Sequence, residues 1–145
     1  MRVYGETVFD VCYLITAFVI GVYILFKYRN SLGRLMGTAT LLLGFGDALH
    51  LVPRVLRYFI QGNFTAALGI GKLVTSITMT IFYILMFYIC KNKYKVENTK
   101  KIECSIWILA IIRIILCMLP QNKWITNDSS VMMGIIRNIP FTIMG

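Results

Sequence analysis

The stretch LLLGFGDALHLVPR, Leu41 to Arg54, decides how this chain is read. It is an apolar run interrupted by Asp47 and His50, three residues apart. A carboxylate and an imidazole are costly to hold inside lipid, and such residues mark functional sites by default. The core of the stretch, Gly46 to Arg54, is therefore the candidate site, and the run around it is a candidate membrane span. Asp47, His50, Arg54 and Arg57 follow i, i+3, i+7 and i+10, which places them on one helix face. Pro53 removes one backbone donor, so the helix is expected to kink or end there.

The rest of the chain supplies the setting. Of 145 residues, 58% are hydrophobic and only 14% charged. A soluble domain is nearer half apolar and about a quarter charged. The apolar residues form long runs rather than periodic faces. A multi-pass membrane protein follows, and a soluble enzyme is excluded. About 20 apolar residues cross a bilayer. Spans are expected at Thr7 to Phe26, Leu35 to Val52, Gly69 to Cys90, Cys104 to Leu119 and Val131 to Gly145. The last of these reaches roughly 22 Å at 1.5 Å per residue, short of a bilayer core. The expectation is therefore an incomplete chain whose further helices follow. Only Arg2 precedes the first run, Glu6 and Asp10 interrupt its start, and no small-residue cleavage site follows. That is a retained first span rather than a signal peptide. The fold class expected is all-α: a polytopic transmembrane helical bundle forming one membrane domain over residues 1–145.

The net charge of +9 is unevenly placed. Lys27, Arg29, Arg34, Lys91, Lys93, Lys95, Lys100 and Lys101 fall in the loops between spans one and two and between three and four. Arg2, Arg54, Arg57 and Lys123 fall on the opposite side. The positive-inside rule puts the larger set in the cytoplasm and the N-terminus outside. The segment Lys91 to Lys101 is expected to meet anionic lipid headgroups. Because the excess charge flanks spans, nucleic acid is not an expected partner. The four cysteines form no C-x-x-C pair and the chain has one histidine, so neither a metal site nor a cofactor is expected. The Gly44 to Gly46 and Gly69 to Gly71 pieces lack a strand–loop–helix context. They are read as places where helices approach closely, not as phosphate loops.

With this topology, Asp10, Asp47, His50, Lys72, Arg113 and Arg137 all fall in the outer half of the membrane. The simplest packing turns them toward a polar pocket open to the outside, with Asp47 paired to Arg113 or Arg137. In such a pocket Asp47 is the candidate general base and His50 the candidate proton carrier. Arg54, Arg113, Arg137 and Lys72 are candidates to hold a phosphate or steady an oxyanion. No serine or cysteine lies beside His50 at helical spacing, so an activated water is the expected nucleophile. Plainer roles compete: charge pairs that lock helices, a Lys72 that snorkels to the headgroups, and acids at a helix start that suit its dipole. Tyr4, Tyr13, Tyr58, Trp107 and Trp124 are read as interfacial aromatics.

GDALHLVPR, with Leu41 to Leu43 before it, resembles a segment of the lysoplasmalogenase-like (YhhN-like) membrane proteins. That family carries an apolar run ending in Gly-Asp, here Gly46 and Asp47, and a following span rich in small residues, here Gly69 to Tyr83. The resemblance implies a polytopic, all-helical protein that hydrolyses the vinyl-ether bond of lysoplasmalogens. Two departures stand beside it. The family usually has one more span before the Gly-Asp helix. It also often has a histidine on the next span, where this chain offers Ser76, Thr78 or Thr80. Three functions are expected in competition. One is a lipid-directed hydrolase, another a transporter or channel using the same charges, and the third a non-catalytic sensor or assembly component. The Ile-, Lys- and Asn-rich composition suits an AT-rich bacterial genome and hence a bacterial cytoplasmic membrane.

Overall fold

The computed structural model describes residues 2–145. It has five α-helices: α1 (Arg2–Lys27), α2 (Ser31–Phe59), α3 (Thr65–Tyr94), α4 (Lys100–Met118) and α5 (Val131–Met144). A single 3-10 turn, Pro120–Asn122, precedes α5, and there is no strand among the described residues. The fold is all-α. The first three helices are long and apolar enough to cross a membrane. α4 carries Lys100, Lys101, Glu103 and Arg113 within 19 residues, and α5 has only 14.

Which residues are buried is as informative as the helix lengths. Ala17, Ala39, Gly37, Gly44, Gly46, Gly69, Gly71, Thr78, Thr80 and Ala110 lie between helices. Large side chains such as Phe9, Ile15, Phe26, Ile115 and Ile135 point outward. A water-soluble helix bundle has the opposite arrangement. Small residues at helix contacts and large apolar ones outside are what lipid as solvent demands, and the chain is a membrane protein on that ground.

Consecutive helices pack as antiparallel neighbours. Along α1 and α2 the register runs from Glu6 with Arg54, through Tyr13 with Asp47, to Gly21 against Leu41 and Gly37 against Leu25. α2 and α3 meet still more closely. The Thr75 hydroxyl donates to the Gly46 carbonyl at 2.8 Å, and a Cβ on Gly46 would overlap the Thr78 hydroxyl. A Cβ on Gly71 would overlap the carbonyl of Leu49.

That contact bears on Pro53, where the expected break does not occur. α2 runs through Pro53 to Phe59, seven residues past the expected end at Val52. Pro53 cannot donate to the carbonyl four residues earlier, that of Leu49. The Leu49 carbonyl faces Gly71 of α3 instead. One missing bond is tolerated because the helix on either side of it is held against α1 and α3.

Helix starts are set locally. The Asn30 side chain accepts from the Gly33 N–H at 2.8 Å and caps α2. The Ser130 hydroxyl accepts from the Met133 N–H at 3.3 Å and caps α5. The end of α4 is closed from outside: the Asn122 amide donates to the carbonyls of Leu116, Cys117 and Leu119, and the Trp124 indole N–H to that of Cys117. Orphan carbonyls at a helix end are thereby satisfied without water.

Candidate functional site

The alternation of helices brings the start of α1, the end of α2, the start of α3 and the α4–α5 connection to one end of the molecule. Contacts across that end are direct. Tyr4 lies 6.1 Å from Phe59 between ring centroids, and the Lys72 ammonium donates to the Asn127 side-chain oxygen at 2.8 Å. The polar residues expected at one depth therefore gather toward a common end of the helices. The lysines of 91–101 lie at the other end, where Lys91 bonds Glu103 at 2.8 Å.

A cavity of about 530 Å³ opens between α2, α3 and the α4–α5 connection. His50, Arg54, Arg57, Tyr58, Lys72 and Asn127 line it, with Leu68. Three of the predicted site residues, His50, Arg54 and Lys72, are therefore together, and no carboxylate lines the cavity. Arg57 completes a basic wall with Arg54 and Lys72. The close approach of Gly71 to the His50 backbone sets the spacing, because any side chain at position 71 would push α3 and Lys72 away. Arg54 is steadied by Glu6, whose carboxylate accepts at 2.9 Å, with both side chains partly exposed.

Asp47 lies one helical turn deeper and does not line the cavity. Its partner differs from the one expected. The Tyr13 hydroxyl donates to the Asp47 carboxylate at 2.6 Å. Among the described residues neither Arg113 nor Arg137 pairs with Asp47. The reason is connectivity: α4 packs on α3 and α5 and makes little contact with α2, so α3 stands between the two charges. Tyr13, read from sequence as an interfacial aromatic, is a site residue. Its signal was present in the antiparallel register, which sets Tyr13 opposite Asp47 once Glu6 is set opposite Arg54.

Arg113 and Arg137 form a second cluster. Arg137 donates to the Asn122 side-chain oxygen at 2.9 Å and lies over the Trp124 ring at 4.5 Å. Arg113 lies over the Phe141 ring at 3.9 Å and is buried. Two further buried polar atoms have no hydrogen-bond partner: the Asp10 Oδ2 and the His50 Nδ1. No group of three or more His, Cys, Asp or Glu side chains that could hold a metal occurs among the described residues.

No family model, curated protein or solved structure matches this chain.

Proposed function

We propose that the protein is a lipid-directed hydrolase embedded in the membrane, acting near the headgroup of its substrate. The observation that carries this reading is the cavity whose wall presents His50, Arg54, Arg57 and Lys72 with no lining carboxylate. A phosphate-bearing headgroup complements three cations and brings its own acyl or alkenyl chain to the apolar faces beside them. Arginine and lysine hold phosphate by charge-assisted hydrogen bonds, strongest where water is scarce. His50 reaches the cavity and can move a proton at neutral pH. Asp47, one turn below on the same face, accepts from the Tyr13 hydroxyl. In this reading His50 activates or orients the attacking water, the Tyr13–Asp47 bond fixes the α1–α2 register beneath it, and Arg54, Arg57 and Lys72 bind the headgroup.

The setting belongs to the same proposal. The chain spans the membrane five times with its N-terminus outside, α4 and α5 being the shorter spans. The lysine-rich ends of α3 and α4 face the cytoplasm of a bacterial cell and touch anionic lipid. Likeness of Gly46 to Arg54 to the lysoplasmalogenase-like proteins makes lysoplasmalogens the first substrates to try. The Gly-Asp pair then has separate tasks: Gly46 admits α3, and Asp47 serves the site.

The test uses the protein purified in lipid. Wild type and Asp47→Asn are incubated with a panel of lysophospholipids and lysoplasmalogens, and products are followed by mass spectrometry. Turnover by wild type, abolished in Asp47→Asn and weakened through KM in Arg57→Ala, is expected. Absence of turnover from a well-folded wild type would discard the hydrolase and favour a transport role for the same charges.

A further inference from the structure

Arg113 is out of place by every ordinary rule of membrane packing. Its side chain is 3% exposed, and its Nε and Nη1 have no hydrogen-bond partner. Its contact with the Phe141 ring at 3.9 Å is attractive but supplies no counter-charge. Arg137, on the facing helix α5, spends one N–H on Asn122 and lies over the Trp124 ring. The six acids of the chain are Glu6, Asp10, Asp47, Glu97, Glu103 and Asp128. None forms an ion pair with either arginine among the described residues. A buried guanidinium with unpartnered N–H groups needs a counter-charge.

The geometry points to an anion-binding site between α4 and α5, centred on the unpartnered N–H groups of Arg113 and completed by Arg137. The ligand is a small monovalent anion of the halide class. Depth selects this class. Arg113 lies five residues before the end of α4 and Arg137 six residues after the start of α5, roughly 8 to 9 Å along each helix. Drying an anion costs more as the square of its charge, so a dianionic phosphate is disfavoured at that depth. The surrounding side chains, Phe141, Tyr83, Cys117 and Trp124, supply aromatic faces, a hydroxyl and a thiol, and no carboxylate. The site is separate from the His50 cavity, which neither arginine lines.

The test is thermal unfolding of the purified protein, titrated with sodium chloride or bromide against sodium gluconate at constant ionic strength. A ligand that binds only the folded state raises the midpoint saturably. Chloride and bromide are expected to do so, and gluconate and sulfate are not. Half-saturation should weaken about tenfold or more in Arg137→Gln, the loss of one charge-assisted contact. Arg113→Gln should lose the response, and Arg57→Gln, in the other cavity, should keep it. If Arg113→Gln does not fold, Arg137→Gln carries the comparison alone. No midpoint shift in wild type, or an equal shift in wild type and Arg137→Gln, overturns the proposal.

Discussion

Removing the Tyr13 hydroxyl is the most direct probe of the site, because one bond is lost and the ring stays. The bond is 2.6 Å long, in the range of a hydroxyl donating to a carboxylate. In soluble proteins a hydrogen bond to a charged group contributes about 1.5 to 3 kcal/mol. Between membrane helices the measured mean is nearer 0.6 kcal/mol and the largest values about 1.7, since the separated helices find other partners. Both residues here are half-buried and the acceptor is ionisable, so the upper part of the membrane range applies. We expect Tyr13→Phe to lose about 1 to 1.5 kcal/mol. A double-mutant cycle with Asp47→Ala, which removes the acceptor, should return a coupling of about 1 kcal/mol. The assay is reversible unfolding in mixed micelles by added SDS, followed by far-ultraviolet circular dichroism. A coupling under about 0.3 kcal/mol, within the error of additivity, would refute the Tyr13–Asp47 bond as the link between α1 and α2.

Other outcomes follow from the same packing. Gly71→Ala and Gly69→Ala each drive a methyl into a backbone carbonyl, of Leu49 and Trp124 respectively, and should cost about 1 to 3 kcal/mol. Gly134→Ala, with open space around it, should be neutral or stabilising in the same unfolding assay. The Lys91 ammonium, and then the Tyr88 hydroxyl, hold the Glu103 carboxyl below the usual range. Its contribution is therefore full above the ordinary glutamate range and is lost as pH falls through the lowered value. An acid-induced drop in the melting temperature should shrink in Glu103→Gln. A reporter fused after Asn98 should read cytoplasmic and one after Asn127 extracytoplasmic; the reverse would invert the site's placement.

Helix number and the approximate helix limits were legible in the sequence, because each depends on local hydropathy and spacing. The end of α2 was not, because the continuation past Pro53 rests on packing against α1 and α3, with the Leu49 carbonyl facing Gly71, more than a dozen residues away in the chain. The polar cluster was legible as a set and not as pairs. His50, Arg54 and Lys72 do converge, since α2 and α3 are neighbours. Arg113 and Arg137 do not join Asp47, since depth alone carries no information on which helix stands between. Tyr13 shows the same limit: a tyrosine near an interface and a tyrosine bound to a buried acid look alike in one dimension.

The α3–α4 pairing is the thinnest of the four consecutive helix contacts. It is fastened at one end by Lys91 and Tyr88 on Glu103, and near the other by Lys72 on Asn127. Asn122, by contrast, ties the end of α4 to Arg137 of α5 through a single buried amide. The molecule is therefore two cooperative blocks joined along a weak seam, α1–α2–α3 on one side and α4–α5 on the other. The expected first opening is a swing of the α4–α5 block as a unit, parting Gly69 from Trp124 and Tyr83 from Phe141 while the His50 cavity loses only its Asn127 wall. Amide protons of α4 and α5 would then exchange together, ahead of those in the middle of α2.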